Sequence, residues 1–137
     1  MLNSAKIPVG FLSLLGLAAI CGPAAPSLAQ GPQLQALDKL ASGNWELRNR
    51  SDGTRQHVCV RNGRELIQLR HPQSGCNRVI VEDGSDRVDV QYTCQGHGYG
   101  RTQIRRETAV IAQIDSQGVL DGRPFQFSAE ARRTGSC

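Results

Sequence analysis

Cysteine and histidine have the most specific chemistry of the residue types in this sequence, and several of them lie close together along the chain. His57, Cys59, His71 and Cys76 fall within twenty residues of one another, and they offer the nitrogen and sulfur ligands that zinc prefers. No Cys-x-x-Cys pair and no matching pair of histidines accompanies them. We therefore expect no metal site and no cofactor, and we interpret the cysteines as disulfide partners.

The third histidine, His97, lies in the glycine-rich stretch GHGYG at residues 96–100. A nucleotide-binding glycine loop is followed by a helix, whereas a strand pattern follows this stretch, so we interpret it as a hairpin connection. No Gly-x-Ser-x-Gly elbow, metalloprotease helix motif or pair of carboxylates suited to a catalytic cleft stands out. We expect a non-enzymatic protein, with a small periplasmic enzyme as the weaker alternative.

The first 29 residues have the composition of a secretory signal peptide. Lys6 precedes an uncharged apolar run that begins at Ile7, and small residues and helix breakers follow in CGPAAPSLAQ. Ser-Leu-Ala fits the small-x-small cleavage rule, so we expect cleavage after Ala29 and export to the periplasm. The alternatives are a retained transmembrane anchor and a lipoprotein joined through Cys21. The run is short for a bilayer, which needs about 20 apolar residues, and Ile20 is not a small residue. We therefore expect a mature protein that does not span a membrane.

Four cysteines remain after the leader, namely Cys59, Cys76, Cys94 and Cys137. An even number in an oxidising compartment predicts two disulfides, with three possible connectivities. The remaining chain is long enough for one domain with a modest core. We expect a helix and lead-in over residues 30–43 and a disulfide-bonded β domain over residues 44–137.

Two short helices are predicted from local patterns. Leucine recurs at three-residue spacing over residues 34–40, and Ser-Gly follows as a stop signal. Further along, Asn62 and Glu65 have the spacing of a helix N-cap and its partner, and Pro72 prevents the helix from continuing.

Most of the remaining sequence alternates between apolar and polar residues and contains regularly spaced turn residues, which predicts antiparallel strands. The fold we expect is mainly β: a curved antiparallel meander or a partly closed barrel, with one or two short helices on its concave side and two disulfides. The expected strands are residues 44–50, 56–60, 77–82, 87–94, 100–108, 109–115 and 124–133. The expected core is Trp45, Leu47, Val88, Val90, Tyr92, Ile104, Val110, Ile114, Phe125 and Phe127.

Several motifs together resemble a known family. They are Gly-x-Trp-Glu at residues 43–46, a cysteine at the end of the second strand, two cysteines that flank a hairpin, and Arg-Arg-x-Gly-x-Cys at residues 132–137. In this order they resemble the bacterial envelope proteins grouped as domain-of-unknown-function family 3617. The chain departs from that family where Val60 follows Cys59, since a Thr is common soon after the first cysteine. The resemblance implies an exported, disulfide-bonded β domain, and it implies no catalytic residues because the family has no established activity.

Both the resemblance and the spacing favour the pairs Cys76–Cys94 and Cys59–Cys137. The first pair flanks a hairpin whose turn lies within residues 82–86, so its members should come close together. A two-residue turn there would place the two cysteines one position out of register and on opposite faces. A three-residue loop, or a bulge just before the first cysteine, would align them.

Arginine is the second distinctive feature of the composition. The whole chain has a formal charge of +4, and nearly all of its basic residues are arginines interleaved with acids. We expect these charges to form cross-strand pairs on a solvated sheet face. The alternative is an anion-binding face that would hold an anionic envelope component such as a lipid or glycan. Its residues would be Arg105, Arg106, Arg132 and Arg133. We expect no nucleic-acid partner.

Tyr92, His97, Tyr99 and Arg101 are close in sequence around the glycine-rich turn. A curved sheet with a helix against it leaves a concave surface, which in other proteins holds a small apolar or amphipathic molecule or the edge of a peptide. These four residues are the predicted rim of such a pocket, and the alternative is that they only close a hairpin. We expect an exported envelope protein with a binding or structural role.

The cleavage prediction is tested by the intact mass of protein recovered from an exporting host. We expect a chain that begins at Gln30, because the small-x-small site ends at Ala29. A mature species that still carries Cys21 would contradict the prediction.

Overall fold

Alternating apolar and polar residues form one antiparallel sheet in the computed structural model, which describes residues 33–137. The strands are β1 (Gly43–Asn49), β2 (Arg55–Val60), β3 (Asn77–Asp83), β4 (Arg87–Cys94), β5 (Gly98–Thr108), β6 (Ile111–Leu120) and β7 (Arg123–Gly135). The predicted mainly β class with two disulfides is confirmed. The predicted leader lies outside the described residues.

The order of strands across the sheet is β2-β1-β7-β6-β5-β4-β3. Strands β3 to β7 form a five-stranded meander, and β1 then pairs with β7, the last strand of the chain. As a result β2 and β3, which are consecutive in sequence, form the two edges of the sheet and do not pair with each other. The sheet is therefore open.

The sheet is strongly curved. With strands about 4.8 Å apart, its two edges would lie about 29 Å from each other if it were flat. Residues of β2 and β3 nevertheless line the same groove. The sheet must therefore curl until its edges face each other across a gap, and we call this gap the seam groove.

The core lies on the concave side of the sheet, which we call the inner face. Most of the predicted core residues are buried there, but Phe125 is only half-buried and the prediction for Val110 is wrong, since 41% of its surface is exposed. Val110 lies in the tight turn between β5 and β6, where the strand alternation does not apply. The buried apolar residues of the sheet are Trp45, Leu47, Val60, Val88, Val90, Tyr92, Cys94, Ile104, Ala112, Ile114, Phe127, Ala129 and Ala131.

The helices are shorter than their sequence patterns predict. The first is a single turn, α1 (Gln35–Asp38), whose leading amides at residues 34 and 35 donate to the carboxylate of Asp83. The second is one 3-10 turn, Arg64–Leu66. Just after this turn, Thr102 of β5 donates a hydrogen bond to the carbonyl of Ile67 (2.7 Å). Within residues 33–137, no helix is long and apolar enough to cross a membrane.

The disulfides join Cys76 to Cys94 and Cys59 to Cys137, the two pairs favoured by the resemblance and the spacing. Cys76 and Cys94 lie opposite each other, but neither a three-residue loop nor a bulge just before Cys76 aligns them. The amide of Gly84 donates to the carbonyl of Arg87 (2.8 Å), which leaves a two-residue turn at Ser85 and Asp86. A bulge near Val81 then shifts the register by one.

Removing each disulfide in turn tests their contributions to stability. The Cys59–Cys137 bond spans 78 residues and the Cys76–Cys94 bond spans 18. Loop-closure entropy predicts losses of about 4.5 and about 3 kcal/mol in unfolding free energy, respectively. We therefore expect the double variant Cys59→Ala/Cys137→Ala to be the less stable of the two in urea unfolding. The reverse order would show that chain entropy does not govern these bonds.

Candidate binding groove between the sheet edges

The walls of the seam groove are the inner faces of β2 and β3. Val58 pairs across the strands with the buried Trp45, and Arg78 pairs with the buried Tyr92, so both side chains point inward. The groove has a volume of about 750 Å³. Sites for small molecules in proteins have volumes of about 300–1,000 Å³, so the groove is large enough to hold one.

The floor of the groove belongs to residues 61–76, which run from the end of β2 to the start of β3 and which we call the crossing segment. Thr102 holds this segment at the carbonyl of Ile67, and the disulfide at Cys76 ties its end to β4. Leu69 and Cys76 are half-buried and pack against the core. The floor therefore presents apolar surface to the groove between the two unpaired edge strands.

Gln68 and Arg78 form the central polar contact of the groove. The amide nitrogen of Gln68 donates to the carbonyl of His71 (3.1 Å), which directs the amide oxygen toward Arg78. Arg78 donates from Nε to that oxygen (2.5 Å). Within the described residues Arg78 forms no ion pair. Burial lowers the pKa of its guanidinium, repulsion from the charge of Arg64 adds to this effect, and attraction to the charge of Glu65 opposes it.

A buried histidine anchors the crossing segment to the sheet. The Nε2 atom of His71 lies 3.2 Å from the carbonyl oxygen of His97, which can only accept, so Nε2 donates. In the neutral imidazole, Nδ1 then accepts from the hydroxyl of Tyr92 (3.1 Å). Burial raises the pKa of the Tyr92 phenol, which keeps it a donor. A Cβ on Gly100 would collide with the Tyr92 ring, so the ring fits only beside a glycine.

The structure does not bring the four predicted rim residues together around one pocket. Tyr92 is buried in the core. The side chain of His97 is exposed and lies 3.2 Å from Asp121 in the next hairpin turn. Tyr99 and Arg101 point to the opposite, solvated side of the sheet, which we call the outer face.

The four arginines predicted to form an anion face are also divided. Arg105 and Arg132 lie on the outer face and pair with glutamates of their own strands, at 3.0 and 3.2 Å respectively. Arg106 lies opposite the buried Ala112 and so points to the inner side. Arg133 donates to the carbonyl of Ser42 (2.7 Å) near the start of β1.

The expected cross-strand charge pairing is clearest at Asp89 on the outer face. Arg101 donates from Nε and Nη2 to its carboxylate, at distances of 2.7 to 3.1 Å, and Gln103 donates at 2.9 Å. The hydrogen bonds from Arg101 are the main reason that the pKa of Asp89 lies below its usual value. This bonding explains why Asp89 is buried although it faces away from the core.

Four groove residues were not predicted from the sequence: Val58, Gln68, Leu69 and Arg78. The available signal is the alternation of each strand: Val58 and Arg78 lie at positions whose side chains point to the inner face, and their neighbours in sequence point outward. Three of the four residues considered for zinc line the seam groove, namely His57, His71 and Cys76. Both cysteines of that set are disulfide-bonded, so neither is a free thiolate. Within residues 33–137, no three His, Cys, Asp or Glu side chains are grouped as metal ligands are.

Comparisons with protein-family models, with curated protein sequences and with solved structures found no match to this chain.

The role of Tyr92 in anchoring the crossing segment is tested by removing its hydroxyl. Tyr92→Phe leaves Nδ1 of the buried His71 without a donor, so we expect a loss of about 1–3 kcal/mol in unfolding free energy, measured in urea. Tyr99→Phe is the matched control, because Tyr99 is 51% exposed and should change stability by less than about 0.5 kcal/mol. Equal effects of the two substitutions would contradict the assigned hydrogen bond.

Proposed function

We propose that this protein is an exported, non-enzymatic binding domain that holds one small amphipathic anion in the seam groove. The observation that carries the proposal is the position of Arg78. Its side chain lines the groove together with Val58 and Leu69, donates from Nε to Gln68, and forms no ion pair within residues 33–137. A carboxylate head group would supply a direct ion-pair partner, and an apolar tail would lie along the floor.

The other charged groups that line the groove already have partners. Arg64 pairs with Asp38 at 2.7 Å. Both carboxylate oxygens of Glu65 accept from the backbone amides of residues 61 and 62. Arg78 is therefore the cation best placed to bind an anion. A hydrogen bond to a charged group contributes about 1.5–3 kcal/mol.

The apolar side of the groove favours a tail rather than a fully polar ligand. Val58, Leu69 and the half-buried Cys76 pack against the core and line the groove. Covering apolar surface contributes about 25 cal/mol per Å². An amphipathic molecule with an anionic head would match both the charge and the apolar surface.

We propose binding rather than turnover because the groove carboxylate is occupied. Glu65 uses both oxygens to hold backbone amides at the start of the crossing segment. A general base must reach a substrate proton, and this carboxylate would have to release the chain to do so.

Export to the bacterial envelope is part of the proposal. Its support is the order of basic, apolar and small residues over residues 1–29, together with two disulfides, which persist mainly in oxidising compartments. The resemblance to family 3617 supports the same location.

Calorimetric titration with sodium decanoate tests the proposal, with decanol as the uncharged comparison. We expect decanoate to bind the disulfide-bonded protein more tightly than decanol does. Arg78→Gln should weaken decanoate binding by about 10- to 100-fold, the loss of one charged hydrogen bond, and should leave decanol binding nearly unchanged.

Arg48→Gln is the matched control, because Arg48 is exposed and lies on the outer face of β1. It removes the same charge from the same sheet and should not alter decanoate binding. The groove proposal fails if wild-type protein does not bind decanoate, or if Arg78→Gln, folded as judged by circular dichroism, binds it as well as wild type does.

A further inference from the structure

Three arginines converge on the outer face at a small cavity that is separate from the seam groove. The cavity has a volume of about 130 Å³ and is lined by Arg50, Arg87, Gln103, Arg105, Gln113 and Asp115. A water molecule occupies about 30 Å³ in the liquid, so the cavity has room for one small hydrated ion. We call this set the arginine site.

Two of these arginines are direct cross-strand neighbours. Arg87 of β4 pairs in register with Arg105 of β5, which places their Cβ atoms about 5 Å apart. Like charges directly opposite each other destabilise a sheet. An anion between the two guanidinium groups would remove this repulsion.

The partners of the three arginines leave many donors free. The guanidinium of Arg87 forms no hydrogen bond or ion pair within the described residues. Arg105 donates once, to Glu107 (3.0 Å). Arg50 donates to the hydroxyl of Ser128 (3.0 Å) and lies 3.8 Å from Asp115. Each guanidinium carries five N–H donors, so most of the donors of the site have no protein acceptor.

Gln113 supplies a further hydrogen-bond donor to the site. Gln113 lies directly opposite Arg105 of β5 on one side and opposite Glu130 of β7 on the other. Only 8% of its surface is exposed. Its amide makes no hydrogen bond within residues 33–137, and its Oε1 atom is fully buried. A buried amide without a partner costs about 1–3 kcal/mol. The NH₂ group of Gln113 has no protein acceptor and could donate to an oxyanion bound in the cavity, whereas the buried Oε1 atom only accepts and gains no partner from an anion.

We propose that the arginine site binds a phosphate group in its dianionic form. The lining carries a net charge of +2, from three arginines and one aspartate, which balances a dianion and exceeds the charge of a carboxylate. Arginine forks match the oxygens of phosphate in pairs. Glu130 does not compete, because it lies outside the cavity and pairs with Arg132 at 3.2 Å.

The phosphate could be carried by a soluble molecule or by a lipid head group, and two arms of one experiment distinguish these sources. The first is calorimetric titration with inorganic phosphate at about pH 8, where the dianion predominates, with ionic strength held constant by sodium chloride. The second is co-sedimentation with vesicles that contain phosphatidic acid, compared with vesicles of phosphatidylcholine alone. Binding in the first arm indicates a soluble source, and binding only to phosphatidic acid indicates a lipid source.

The variants separate the arginine site from general surface charge. Arg87→Gln should weaken binding in the responding arm at least tenfold. Gln113→Leu should also weaken it, while its unfolding free energy stays the same or rises because the unpaired buried amide is gone. Arg123→Gln is the control, because Arg123 is exposed at the tip of the β6–β7 hairpin and its loss removes the same charge.

Arg78→Gln should not affect phosphate binding, because Arg78 does not line the arginine site. The phosphate proposal can therefore be tested even if the groove proposal fails. The phosphate proposal is overturned if wild-type protein responds in neither arm. It is also overturned if Arg123→Gln weakens binding as much as Arg87→Gln does, since that result would indicate a diffuse charge effect.

Discussion

The two edges of the sheet do not hydrogen-bond to each other, and the rest of the structure depends on this gap. A closed barrel would satisfy the backbone of β2 and β3 by direct pairing. In this protein the crossing segment lies between them instead. The contacts that replace strand pairing are side-chain contacts: Thr102 to Ile67, Tyr92 to His71, and Arg78 to Gln68. Each fixes one part of the segment, so the sheet can curl without closing.

Each disulfide fixes one edge strand to the part of the sheet beside it. The Cys76–Cys94 bond holds the start of β3 on β4, and the Cys59–Cys137 bond joins the end of β2 to the chain just beyond β7, past the start of β1. Both bonds lie near the ends of the edge strands, and neither crosses the seam groove. The groove therefore stays open between two anchored edges, with Arg78 beside the apolar side chains of Val58 and Leu69.

The sequence predicted the strands well because their pattern is local. Residues 87–94 alternate strictly and form β4 with the predicted bounds, and Trp45 and Leu47 lie in the core as expected. The pairing of β1 with β7 was not predictable, since it joins distant segments and leaves no periodic signal. Arg78 was missed because an arginine on an edge strand has the same pattern whether it faces water or a groove. The anchoring role of His71 was not predictable either, because its partners, Tyr92 and the carbonyl of His97, lie far along the chain.

The open seam is tested most directly by nuclear magnetic resonance of the disulfide-bonded protein. We expect no nuclear Overhauser contacts between the backbones of β2 and β3, and rapid hydrogen exchange at the amides of both strands that point toward the seam, while amides between β6 and β7 stay protected. Backbone contacts from β2 to β3, with protection equal to that of the central strands, would mean that the barrel closes in solution, and would contradict the account.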